Sequence, residues 1–92
     1  MEKNDLLIVL MDLRNQFLKE ELEAAFLKAN MRSFANQVVI LNEMKVFLDE
    51  LQQKELDEKD KESLKELKNF LSEKTSDLST IIKILKDHPL DL

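Results

Sequence analysis

The chain contains no glycine among its 92 residues and only one proline, Pro89. An average chain of this length would contain about six glycines and about five prolines. Tight hairpin turns and phosphate-binding loops depend on glycine, because a residue without a Cβ adopts positive φ freely and lets the backbone approach a ligand closely. The sequence therefore argues against most β architectures and against glycine-based nucleotide sites, and it predicts an all-α fold.

Size and charge limit the classes of protein further. A chain of 92 residues predicts one small domain, which buries only about 60–65% of the surface of its unfolded chain. Because the chain has no cysteine, disulfides and thiolate metal ligands are excluded, and self-association is the simplest way to enlarge the core. The acidic net charge of −5, with charges of both signs interleaved and only two arginines, Arg14 and Arg32, argues against a nucleic-acid partner.

The longest apolar run is residues 6–11, which is six residues long. A transmembrane helix needs about 20 apolar residues, and the apolar core of a signal peptide has about 7–15. We therefore expect a cytoplasmic protein with no membrane partner.

A first helix is predicted over residues 4–29, with Asn4 as its N-cap and Asp5 in its first turn. Its apolar residues form two adjacent stripes, which together exceed the roughly 100° that one packing partner covers. One stripe contains Leu6, Leu10, Leu13, Phe17, Ala24 and Leu27, and the other contains Leu7, Met11, Leu18, Leu22, Ala25 and Ala29. The excess indicates that this helix has two partners.

A second helix is predicted over residues 34–53, after a turn at 30–33 in which Ser33 is the N-cap. The turn signals are weak, so one continuous helix through this point is an alternative. The apolar positions of the second helix are Phe34, Val38, Val39, Ile40, Leu41, Met44, Phe47, Leu48 and Leu51, with Lys45 interrupting the seam.

A third helix is predicted over residues 58–87, with Asp57 as the N-cap and Pro89 ending it. Its apolar residues repeat every three or four positions, and only Lys74 breaks the repeat. This seam contains Leu64, Leu67, Leu71, Leu78, Ile81 and Leu85, and we expect Leu67, Leu71 and Leu78 to be buried. Residues 75–77 offer an alternative break that would create a short fourth helix.

The sequence offers no catalytic, cofactor or metal site. His88, the single histidine, lies beside Pro89, with Asp87 and Asp91 nearby in sequence. Because the sequence places no further residues around it to orient a metal ligand, we interpret it as a residue at the C-terminal end of the helix. The carboxylates alternate with lysines, as is typical of a solvated helix surface, and the serines have no histidine base nearby in sequence. We therefore predict that the protein is not an enzyme and takes no cofactor.

Six consecutive apolar residues point around the whole circumference of a helix, so one core cannot take all of them. We predict a partner or homodimer interface formed by Leu6, Leu7, Ile8, Val9, Leu10, Met11, Leu18 and Leu22. The alternative is that the start of the first helix is buried centrally. The phenylalanines Phe17, Phe26, Phe34, Phe47 and Phe70 are interpreted as core anchors.

These observations predict a small, elongated, antiparallel three-helix bundle, or helical hairpin with a long C-terminal helix, that forms a homodimer. The expected mode of recognising a protein partner is helix-in-groove or coiled-coil pairing. The predicted function is non-catalytic: an adaptor, inhibitor or chaperone-like protein that presents an apolar helix face to a protein partner. A structural homo-oligomeric subunit is the alternative, and a small enzyme is a third one.

Overall fold

The computed structural model describes residues 1–26 and 31–87, with the side chains of Ala25, Phe26, Met31 and Leu85 left out. Within these ranges the chain forms three helices, α1 (Lys3–Phe26), α2 (Met31–Gln52) and α3 (Glu58–Asp87). Helix accounts for 91% of the described residues, and no strand occurs among them. The prediction of an all-α fold is confirmed.

The three helices run up, down and up. Ser33 Oγ near the start of α2 donates to the carbonyl of Glu20 near the end of α1 at 3.3 Å. Lys68 Nζ on α3 donates to Gln52 Oε1 at the end of α2 at 3.5 Å. Since α1 and α2 pack side by side as separate helices, the alternative of one continuous helix is wrong.

The ends of the helices match the sequence signals unequally. At α3, the backbone N–H of Asp60 donates to Asp57 Oδ1 at 2.8 Å, so Asp57 is the N-cap, and the helix has the predicted bounds. It continues unbroken through residues 75–77, so the predicted alternative of a fourth helix is wrong. At about 1.5 Å per residue, its 30 residues extend about 45 Å.

The starts of α1 and α2 differ from the predictions. The first helical hydrogen bond of α1 joins Leu6 N to Glu2 O at 3.0 Å, which makes Glu2 the N-cap in place of Asn4. Helix α2 begins at Met31, so Ser33 lies inside its first turn, where its hydroxyl bonds to α1. Predictions for Leu27, Ala29, Asn30, His88, Pro89 and Asp91, and for the side chains of Phe26 and Leu85, fall outside the description.

The core lies between the inner faces of the three helices. Its buried apolar members are Leu6, Leu10, Leu13, Phe17, Ile40, Leu41, Met44, Leu48, Leu51, Leu67 and Leu78. Four of these belong to the first predicted stripe of α1, which is therefore the stripe that packs within the chain. Leu71 is only partly buried, in contrast to the prediction, because it lies at the margin of the α2–α3 contact.

The aromatic side chains occupy the core and its edge. Phe17 is fully buried, and its ring meets that of Phe70 edge to face, with the centroids 5.7 Å apart. Phe34, Phe47 and Phe70 are partly buried against the core. The backbones of α1 and α3 approach each other less closely than those of the other helix pairs, so side chains such as these two rings bridge the gap.

Candidate functional site

The second stripe of α1 lies on the outside of the bundle. Three of its large apolar side chains are exposed to water, Leu22 by 59%, Met11 by 42% and Leu18 by 37%, and the neighbouring Ile8, which belongs to neither predicted stripe, is exposed by 67%. In a small helical protein such a row is the feature that most needs a partner, because soluble monomers rarely expose large contiguous apolar patches.

The structure sorts the eight residues of the predicted interface into three groups. Leu6 and Leu10 are completely buried among the core residues of α2 and α3, so they are not available to a partner; their inclusion in the predicted interface is corrected. Leu7 and Val9 are partly buried against the core. Ile8, Met11, Leu18 and Leu22 remain on the surface as the candidate site.

The exposed residues follow a heptad spacing. The positions 8, 11, 15, 18 and 22 alternate steps of three and four, the spacing of one coiled-coil seam. We call this set the outer seam; its residues are Ile8, Met11, Asn15, Leu18 and Leu22. Asn15, exposed at the centre, is its only polar member. No charged side chain belongs to the outer seam.

The two flanks of the outer seam differ in their surroundings. On the flank away from α3, Asp12 and Lys19 are both exposed, and Gln16 Nε2 donates to Asp12 Oδ2 at 2.8 Å. On the flank towards α3, Glu21 Oε2 lies 3.0 Å from Lys74 Nζ, and the Arg14 guanidinium lies 5.8 Å from the Phe70 ring centroid. Asp12 and Lys19 form no ion pair among the described residues, so the first flank is available to charges outside the chain.

A half-open groove of about 380 Å³ runs between α1 and α3 beside the outer seam. Leu67 and Phe70 contribute its apolar part, and Glu66 and Glu73 are exposed acidic residues on its rim. Met11 belongs both to the groove and to the outer seam. A helix lying on the outer seam would therefore also place side chains over this groove.

Charged contacts fix the register of α1 against α3. Lys3 Nζ lies 2.7 Å from Asp60 Oδ2, and this hydrogen bond raises the pKa of Lys3 above its ordinary value. The backbone N–H of Asp60 lowers the pKa of the Asp57 carboxyl, because the hydrogen bond that it donates stabilises the ionised carboxylate. Together with the Glu21–Lys74 pair near the other end, these contacts hold the outer seam in a fixed position relative to the groove.

The sequence pattern missed Asp12, Asn15 and Lys19 as members of the site. The signal was present, since the three- and four-residue steps from Ile8 to Leu22 continue only if Asn15 is counted. Grouping the helix by apolar residues alone leaves Asn15 out, and neither flank can be defined until the structure shows which stripe faces water.

Metal-binding groups and membrane-spanning helices are two further features to consider in the described residues. Among residues 1–26 and 31–87, no three histidine, aspartate or glutamate side chains are grouped so that they could hold a metal ion. None of the helices in these ranges is long and apolar enough to cross a membrane.

No family model, curated protein or solved structure matches this chain.

Proposed function

We propose that this chain is a non-catalytic helical interaction protein, of the adaptor, inhibitor or chaperone-like kind, that acts in the cytoplasm and binds a protein helix along the outer seam. The observation that carries the proposal is the exposure of Ile8, Met11, Leu18 and Leu22 on one face of α1. Helix-in-groove recognition uses anchors with this spacing, since residues three and four apart share a face.

The chemistry of the surface supports a protein partner. The outer seam is apolar with one central amide, and the adjoining groove has the acidic rim residues Glu66 and Glu73. Phosphate backbones require clustered Lys and Arg, whereas the net charge here is −5. An amphipathic helix would cover the seam and place a side chain over Leu67 and Phe70 in the groove.

A structural homo-oligomeric subunit is the second candidate function. The heptad spacing favours it, because a single polar Asn at an interior position is a device that sets register and oligomeric state in coiled coils. The principal-axis extents of 50 × 22 × 18 Å support the elongated shape of such a subunit. In this version the apolar excess serves contacts between copies of the same chain.

The proposed function is tested with a photo-crosslinking amino acid introduced at position 22 of the full chain. The control carries it at Val46, which is similarly exposed on α2. We expect crosslinks to protein from position 22 in the native lysate, at a level well above those from position 46. Equal crosslinking from the two positions, or none from position 22, would contradict the proposal.

A further inference from the structure

We propose that the helix that covers the outer seam is α1 of a second copy of this chain, bound antiparallel about a two-fold axis near Asn15. This inference rests on the proposed function, because it names the partner of the same surface. It adds an orientation and a specific pair of charges.

The first argument is the spacing of the outer seam, which alternates steps of three and four residues in either direction along α1. Ile8 and Met11 precede Asn15 by seven and four residues, and Leu18 and Leu22 follow it by three and seven. A two-fold axis brings the same surface of both copies together, so the surface must be complementary to itself. With the two-fold axis between Asn15 and Leu18, Met11 lies opposite Leu22 of the second copy and Asn15 lies opposite Leu18, so Asn15 is the one polar residue that meets the apolar row.

The second argument is charge complementarity on the free flank. In an antiparallel pair, the same flank of each helix faces the same flank of the other. Asp12, three residues before Asn15, then lies opposite Lys19 of the second copy, and the two-fold axis repeats this pair. On the other flank, Arg14 of one copy lies opposite Glu21 of the other, although Glu21 already contacts Lys74 within its own chain.

A parallel pair lacks this complementarity. In a parallel coiled coil, a residue on one flank of the seam faces a residue on the opposite flank of the partner helix, and the partner residue lies five positions earlier in the sequence. Lys19 would then face Arg14 of the second copy, which sets two positive charges against each other at both symmetry-related positions. Like charges opposite one another weaken a helix pair, so the sequence selects the antiparallel orientation.

Charge reversal at Asp12 and Lys19 tests the inference, because both side chains are exposed and lie outside the core. Sedimentation equilibrium of the full chain should give a dimer for the wild type. We expect Lys19→Glu alone and Asp12→Lys alone each to raise the dissociation constant about tenfold, because two attractive contacts become repulsive. The double variant Asp12→Lys plus Lys19→Glu should return to within about threefold of the wild type, since the pair is restored with its charges exchanged.

A matched control is Lys65→Glu, which makes the same change of charge at an exposed position on α3. It should leave the dissociation constant unchanged within about twofold, and circular dichroism should give equal helicity for all variants. A tighter dimer with Lys19→Glu alone would indicate the parallel orientation and overturn the inference. So would a double variant that is as weak as the single ones.

The outcome also separates this inference from the proposed function. A wild type that is monomeric at tens of micromolar, but crosslinks a different protein from position 22, overturns the second copy as the partner and leaves the proposed function in place. Crosslinks from position 22 to the chain itself support the inference. No protein crosslinks above the Val46 control would remove both.

Discussion

At the scale of single residues, Leu67 shows how much of the stability depends on one side chain. It is 2% exposed and lies among core residues of the other helices. We expect Leu67→Ala to lower the free energy of unfolding by about 2–5 kcal/mol, because it removes buried methyl groups and leaves a cavity. Urea unfolding monitored by circular dichroism measures this loss.

The matched control is Leu71→Ala, one turn further along α3. Leu71 is only partly buried, so its truncation should cost clearly less than that of Leu67. Equal losses for the two variants would mean that the core does not end at the α2–α3 margin.

Asp57 gives the start of α3 a dependence on pH. Its folded pKa is lowered, chiefly by the backbone N–H of Asp60, from an ordinary value of 3.8. Its contribution is therefore complete above pH 3.8 and is lost as the pH falls through the lower folded value. We expect Asp57→Ala to lower the Tm at pH 7, and the difference from wild type to shrink at pH 2.

Asp57→Asn is the control for that prediction, because asparagine also accepts the N-cap hydrogen bond but has no carboxyl to titrate. Its Tm difference from Asp57→Ala should persist at pH 2. An equal Tm difference between the wild type and Asp57→Ala at pH 7 and pH 2 would show that ionised Asp57 does not stabilise the start of α3.

At the scale of helices, α3 was the most predictable from sequence. Its apolar residues repeat every three or four positions with polar residues between them, and Asp57 is a residue type that favours the N-cap, a position that the structure confirms. Only one packing solution fits such a narrow stripe.

The start of α1 was the least predictable element. With six consecutive apolar residues, the helix presents an apolar side chain to the core however it is rotated about its axis. The sequence could therefore not decide that Leu6 and Leu10 face inward while Ile8 and Met11 face outward. The packing of α2 and α3 against one side decides between them. The sequence alone places the candidate site on α1, but its edges and its central Asn15 required the structure.

The contact between α1 and α3 includes an ion pair between Glu21 and Lys74, the residue that interrupts the apolar seam of α3. Lys74, which is mostly buried, reaches Glu21 at 3.0 Å and lies over the Phe70 ring. A double-mutant cycle with Glu21→Gln and Lys74→Met should give a coupling energy of about 0.5–1 kcal/mol, a modest value because Glu21 is partly exposed. The coupling should weaken in high salt, and a value indistinguishable from zero would mean that the pair does not link the helices.

At the scale of the whole molecule, the bundle uses one face of α1 for its own core and leaves the outer seam exposed. The other two helices, α2 and α3, already cover the inner side of α1, so this small chain has no further helix with which to bury the outer side. In the proposed dimer, association along the outer seam would extend the core across two chains, as self-association does for other small domains. We therefore expect the stability of the molecule to depend on its interaction with another helix.

The measurement that tests this most directly is sedimentation equilibrium of three proteins at tens of micromolar. These are the wild type, the outer-seam variant Ile8→Glu plus Leu22→Glu, and a control with Val39→Glu plus Val46→Glu on the exposed side of α2. We predict that the wild type and the control have twice the 10.8 kDa chain mass, and that the outer-seam variant is a folded monomer with unchanged helicity. An outer-seam variant that remains dimeric, or a control that dissociates instead, would contradict the central claim that the outer seam is the interaction surface.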